Sequence, residues 1–284
     1  MKLTEKNYFG KEASKKYMSA SQFKSFMKCE AAALAELNDE CEAADSQALF
    51  LGSLVDELLT GTKKSQIKFI IENRAKIFQV SSKLNKLDDE ALSTFVTENL
   101  STIFASIYKP YADVAKALNA VEEVKKQPLM MKYLTGRKQR IMTGVIGGVE
   151  FKIKMDCYKP GHFISDLKYL ASLKSPNLFD NVVKYWGYDI SMAIYQEVVY
   201  QNTGDRLPVY LVIVTKDTVP RKTVCEIKQW NLDDALEIVK KHLPRIMAVK
   251  NGEVEPERCN GCDYCAATEI LTEIIDSDML GISK

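Results

Sequence analysis

The chain has 284 residues, enough to bury the core of one large domain or two modest ones. Its 39 basic and 38 acidic side chains nearly cancel, so no overall field singles out a nucleic-acid or membrane partner, and any such contact has to be local. The N-terminus carries no apolar leader and nowhere do eighteen apolar residues run together, which argues against secretion and membrane spanning and for a cytoplasmic protein.

The first half reads as helical. Ser19 or Ser21 is placed to cap a helix through SQFKSFMKCEAAALAEL, in which Phe23, Phe26, Met27 and Ala31 keep the three-and-four spacing of one apolar face. DSQALFLGSLVDELLTG predicts a second helix, started by Asp45 or Ser46 and stopped near Gly61. Amphipathic pieces follow between about 65 and 135, broken at SSKLNKLDD and by Pro110 and Pro128. From about Arg137 to Tyr169 the period becomes two. Val149, Phe151, Ile153, Met155 and Cys157 are expected on one strand face, with Glu150, Lys152, Lys154, Asp156 and Tyr158 on the other, and Pro160 and Gly161 mark a turn. A long helix is expected across DNVVKYWGYDISMAIYQEVVYQNTG, closed by Asn202 and Gly204. Two strands, LPVYLVIVT and TVCEIKQW, precede a helix from Asn231 or Asp233 to about Val249, and a cysteine cluster and a short amphipathic tail finish the chain. This order predicts a single α/β domain: a helical N-terminal part over about 19–135, a sheet core over about 136–250 and a Cys-rich segment over 251–284.

The chemistry gathers in the predicted hairpin. In HFISDLKYL, alternation puts Ile164, Asp166 and Lys168 on one face and Phe163, Ser165, Leu167 and Tyr169 on the other. Two neighbouring carboxylates are costly without a cation between them, and one lysine supplies a single charge. Mg2+ favours one or two carboxylates plus waters and phosphate oxygens, which Asp156 and Asp166 provide; Lys168 would hold or help deprotonate an attacking water and offset charge on the phosphoryl oxygens. A two-residue loop would put Asp156 and Asp166 on opposite faces, so an odd-numbered loop or a bulge is expected, with Gly161 able to accommodate it. Asp and Lys two apart on a strand are by themselves ordinary surface decoration. What lifts the pattern is Asp156 one hairpin upstream and a further acid after a glycine in GSLVDELLTG.

With these residues assembled, the chain resembles the PD-(D/E)xK nuclease superfamily, and within it the phage and prophage exonucleases of the exodeoxyribonuclease VIII type. The resemblance runs from about Ser19 to Cys265. It rests on SASQFKSFMKC, on Asp56 in GSLVD where the family often has histidine, on Asp156, Asp166 and Lys168, and on a following helix with a Q-x-x-x-Y pattern. It implies a restriction-endonuclease-like α/β fold, with a central mixed sheet flanked by helices. It implies a Mg2+ or Mn2+ site held by Asp56, Asp156, Asp166 and the Leu167 carbonyl, with Glu57 as a substitute for Asp56. It also implies resection of linear double-stranded DNA from the 5′ end, a ring-shaped homo-oligomer and a single-strand annealing partner. Gln196 and Tyr200 fit the glutamine motif literally, whereas WGYDIS and MAIY suggest Ser191 and Tyr195; Gln196 with Tyr195 is preferred. Ser19, Ser21, Lys24, Lys152 and Lys154, with Lys15, Lys16 and Lys28, are candidates for touching DNA, although most such lysines are simply solvated. An endonuclease or single-strand nuclease on the same core, and a non-catalytic DNA-binding or assembly protein, are the alternatives. The intact acids and lysine speak against the last.

CNGCDYC places Cys259, Cys262 and Cys265 at a spacing suited to an iron–sulfur cluster or zinc once a fourth thiolate arrives. Cys29 is the candidate, because some superfamily relatives staple one upstream cysteine to three downstream. A [4Fe–4S] cluster, a structural zinc and reduced thiols without metal all stay open. Cys41, Cys157 and Cys225 read as small apolar residues, and His162 and His242 as surface side chains.

Overall fold

A computed structural model describes residues 1–41, 47–176, 178, 180–270, 274 and 278. After α1 (Lys11–Lys16) comes α2 (Ala20–Lys28), capped as expected by Ser19, whose hydroxyl accepts the Gln22 amide at 3.2 Å. The single helix expected here is two. Cys29 is extended (φ −161°), so α3 (Glu30–Leu37) leaves in a new direction with Cys29 at the corner. Helix α4 (Gln47–Thr60) ends at Gly61; its expected caps Asp45 and Ser46 lie outside the described residues. Then come α5 (Lys63–Glu72), α6 (Arg74–Ile77), α7 (Asp89–Asn99), α8 (Ala112–Lys125) and α9 (Pro128–Tyr133), the last with proline in its first turn, where no amide hydrogen is needed.

The strands are β1 (Arg137–Ile146), β2 (Val149–Lys159), β3 (Phe163–Leu170), β4 (Val209–Thr215) and β5 (Lys222–Ile227), in that spatial order. Neighbours are antiparallel except β3 and β4. A parallel pair needs a crossover, and α10 (Val182–Tyr185) with α11 (Tyr188–Thr203) supplies it. The expected continuous helix is interrupted at Gly187, which is left-handed (φ +61°). The last long helix, α12 (Gln229–Lys250), starts earlier than its sequence signals suggest, and the short α13 (Asp263–Ala267) follows.

Alternation along β4 shows how the sheet becomes a middle layer. Val209, Leu211 and Ile213 join Phe23, Phe26, Met192, Val198 and Leu243 beneath α2, α11 and α12; Val212 and Val214 join Leu54, Leu92, Val114 and Val121 of the α4–α9 layer. Both faces are buried, each large apolar side chain contributing about 1.5–3 kcal/mol of transfer free energy. No helix among the described residues is long and apolar enough to cross a membrane.

Two irregularities create the site. Lys159 pairs with Phe163 across a three-residue connection, Pro160-Gly161-His162, whose tight turn is closed by the His162 amide donating to the Lys159 carbonyl at 3.0 Å, with Gly161 at φ +68°. Counting on from Tyr158↔Ile164 and Cys157↔Ser165, Asp156 falls opposite Asp166, but the ladder stops one step short of them. Upstream of that point β2 pairs with β1, and its other edge takes Met18 instead, through Met18 N–H to Glu150 O and Lys152 N–H to Met18 O, both 2.8 Å. The second irregularity corrects the expected strand faces. Met155 packs in one core and Cys157 in the other, so β2 turns over at Asp156; opposite it Gln139 is left-handed (φ +50°) and absent from the β1–β2 pairing. Lys152 and Tyr158, expected on the polar face, are buried as well.

Candidate active site

The open V between β2 and β3 is where the functional side chains meet. The Asp156 carboxylate reaches across the missing rung and accepts the Leu167 amide at 2.9 Å, replacing the ladder bond the split removes. The Tyr195 hydroxyl does the same for the Lys154 carbonyl, donating at 3.1 Å from α11. Asp166 is buried and ion-paired to Lys168, and its Oδ2 finds no hydrogen-bond donor beyond that ammonium among the described residues. From α4, Asp56 accepts Thr60 Oγ1 at 2.9 Å and Gln139 Nε2 at 3.0 Å. Asp56, Asp156, Lys154, Tyr195, Ser21 and Phe9 line one cleft of about 630 Å³.

The charge balance is unfavourable without a cation. Burial, reinforced by the charges of Asp166 and Asp56, pushes the Asp156 carboxyl well above its usual range; Lys168 and the Leu167 amide only partly offset this. Burial likewise raises Asp56, against the Thr60 hydroxyl bond. For Lys168 burial works the other way, yet Asp166 and Asp156 hold it protonated, above the usual lysine range. Three carboxylates around Lys168, with Lys24 further out beside Asp166, fit a divalent metal, the Asp166 oxygen that lacks a second partner being a ready ligand. Asp156, Asp166, Asp56 and the Leu167 carbonyl, which now accepts Lys168 Nζ at 3.4 Å, are the groups that would hold it.

Other expected site residues lie elsewhere. Gln196 is buried and turned away, bonding the Leu207 carbonyl at 2.8 Å and Gln229 at 2.9 Å, and Tyr200 stands exposed under Arg206. Successive helical positions are about 100° apart, so the helix that aims Tyr195 at the V aims its neighbour Gln196 into the core. Ser191 donates to the Gly187 carbonyl. Lys152 is withdrawn from any DNA surface: it is 3% exposed and donates to Tyr8 O at 2.6 Å and Ser14 Oγ at 3.2 Å. Ser19 and Ser21 touch at 3.0 Å, and only Ser21 lines the cleft of the acids. Lys154 lies over Phe9, and Lys16 pairs with Glu150 at 3.7 Å. Lys24 reaches the site, its Nζ and that of Lys168 lying 5.6 and 5.2 Å from the same Tyr188 ring. Gln139 and Tyr188 were not foreseen. Tyr188 stands two helical turns before Tyr195 and shares its face, a signal the sequence did carry; a left-handed residue inside a strand leaves none.

The four cysteines do converge. The sulfurs of Cys29, Cys259, Cys262 and Cys265 all lie within 4.8 Å of one another, close enough to share one metal ion. Tetrahedral zinc with bonds of 2.3 Å would set its sulfurs about 3.8 Å apart, compatible with the 3.6 Å from Cys29 to Cys265 and 4.0 Å from Cys259 to Cys265. Thiolates around an iron–sulfur cube would stand further apart, the cube itself filling the centre. The Gly261 amide, then the Cys262 thiol, lowers the Cys259 thiol to about 6, while Cys262, against its bond from the Cys265 amide, is raised by the Cys259 thiol and by burial to about 11. Beside it Glu30 binds Arg245 through both oxygens at 3.0 and 2.9 Å and accepts the Glu257 amide at 2.8 Å, clamping α3 to α12 and the C-terminal segment. Burial alone would raise Glu30; these bonds hold it below its usual range.

A mixed five-stranded sheet between helical layers, split at paired aspartates with a lysine two residues on, is the architecture of a PD-(D/E)xK-type nuclease. Residues 19–268 match the model of the family described as a PDDEXK-like domain of unknown function (DUF3799), and the chain belongs to that family. A crystal structure of a protein from Eubacterium rectale, described as "Putative exonuclease", is 35% identical and superposes with a TM-score of 0.83, covering 99% of this chain and 100% of that one. No curated protein matches.

Proposed function

We propose that the protein is a Mg2+- or Mn2+-dependent exonuclease that hydrolyses linear double-stranded DNA from the 5′ end, leaving a 3′ tail for a single-strand annealing partner. The observation that carries the reading is the placement of Asp156 opposite Asp166 at a strand split, with Lys168 on the same face as Asp166. The metal, when bound, polarises the scissile phosphate and lowers the pKa of a water. Asp156, Asp166 and Asp56 would hold it. Lys168, now ion-paired to Asp166, is the ammonium placed to orient the water and to neutralise charge on the phosphoryl oxygens. Tyr195 keeps the walls of the V apart by satisfying the Lys154 carbonyl. Cys29, at the end of the helix that carries Lys24, and the three C-terminal cysteines would hold a structural metal, their spacing favouring zinc.

Digestion of end-labelled linear duplex and of circular DNA, with Mg2+ or EDTA, tests this. Loss of the linear substrate alone, with the 5′ label released first, is the expected result. Cutting of circles makes the protein an endonuclease, early release of the 3′ label reverses the polarity, and intact DNA throughout removes the catalytic reading.

A further inference from the structure

Both tryptophans of this chain border α10: Trp186 caps it, and Trp230 lies beside its Lys184. Trp186 is 49% and Trp230 61% exposed, and Tyr185, 42% exposed, meets Trp186 edge to face at 4.9 Å. Large aromatics clustered in water without a partner mark a binding surface. Two cations flank them. Lys184 lies 6.0 Å from the Trp230 ring, and Lys24 donates to the Trp186 carbonyl at 3.3 Å. The patch is continuous with the candidate active site, because Lys24 and Lys168 share the ring of Tyr188, the first residue of α11. Gly187 fixes this geometry: it is left-handed, and a Cβ there would come within 2.9 Å of the Lys24 side chain. Asp189 acts on both Lys24 and Lys184; it is buried and accepts its neighbour's amide, so it does not occupy the outer surface.

Resting on the nuclease reading, we infer that Tyr185, Trp186 and Trp230 form a stacking platform for unpaired nucleotides of single-stranded DNA beside the scissile phosphate, with Lys24 and Lys184 on the flanking phosphates. Exposed aromatic faces take any base by stacking, while the cations track the backbone, which suits an enzyme that must hold a frayed end of any sequence. The charge of the patch and its continuity with Lys168 favour this occupant over a second protein copy.

The location of both tryptophans makes the test direct. A dT12 oligonucleotide is titrated into the full chain in EDTA, reading tryptophan emission; a fluorescein-labelled dT12 is followed separately by anisotropy. Emission should quench in step with the anisotropy rise. Trp186→Ala and Trp230→Ala should each weaken binding roughly fivefold to a hundredfold, and Trp186→Phe should restore most of it. Normal anisotropy without quenching, with alanine variants binding as the wild type does, overturns the platform and leaves the nuclease standing. Emission that changes with protein concentration alone, together with dimers in sedimentation, gives the patch to a second copy and also overturns it. If the labelled dT12 does not bind and Mg2+-dependent digestion is also absent, the nuclease reading fails and the platform with it.

Discussion

At the scale of single residues, the candidate site is held in a state that costs stability without metal. Asp156, Asp166 and Asp56 crowd around Lys168, and burial with mutual repulsion raises Asp156 and Asp56. A carboxyl whose folded pKa lies above its unfolded value costs stability progressively as pH rises through that interval, and the full penalty remains above it. Asp156→Asn keeps an acceptor for the Leu167 amide while deleting a charge, so in EDTA at neutral pH it should raise Tm by about 2–4 °C while abolishing cleavage. Thermal melts with and without Mg2+ check this; an unchanged or lower Tm would show that the repulsion is already relieved. Gln139 acts through Asp56, which it bonds at 3.0 Å from a left-handed position. Gln139→Ala should weaken the Mg2+ requirement curve about tenfold to a hundredfold, with the maximal rate recovered at high metal. A rate defect that metal does not rescue would count against that positioning role.

At the scale of elements, what was legible followed from local rules. Alternation in β3 put Asp166 and Lys168 together on one face, and the demand that Asp156 meet Asp166 required an odd connection, which Pro160-Gly161-His162 supplies. Deleting His162 should therefore move Asp156 out of phase and remove activity, whereas Gly161→Ala, in open space at φ +68°, should cost only about 1 kcal/mol and leave activity near wild type. Denaturant titration and digestion assays separate the two. What stayed illegible was set by tertiary structure. The break at Cys29 is imposed by contact with a C-terminal segment more than two hundred residues away, the turnover of β2 by a non-glycine left-handed residue in β1, and the inward turn of Gln196 by the start of α12. A glutamine and a tyrosine with motif spacing looked alike in two registers, and only the packing of α11 separates them.

At the scale of the whole molecule, the chain invests in buried cations around its N-terminal segment. Burial lowers Lys152 and Lys250 to about 8 each, and Lys250 also feels Lys152; Lys152 donates to the Tyr8 carbonyl in the turn before α1, and Lys250 to the Ser14 carbonyl within it. The unfolded chain holds these protons to about 10.5, so between pH 8 and 10.5 it binds more protons than the folded one, and this contribution to stability rises with pH. Cys157, raised to about 11 chiefly by burial, acts oppositely above pH 9. The gain should appear in melts between pH 7.5 and 9 and shrink in Lys152→Met; equal pH profiles would refute it. The cysteine staple acts across the same distance. Cys29→Ala should lower Tm and release metal measurable by elemental analysis, while purified protein without zinc or iron would dismiss the staple.

The central claim is that the split between β2 and β3 is a metal-dependent hydrolytic centre. Its most direct test is the rate of linear-duplex digestion against Mn2+ concentration for wild type, Asp166→Asn and Lys168→Ala, with metal binding followed by calorimetry. We expect Asp166→Asn to lose both metal binding and cleavage, and Lys168→Ala to retain binding while cleaving at least about a hundredfold more slowly. Cleavage by either variant at the wild-type rate would place the chemistry elsewhere in the molecule.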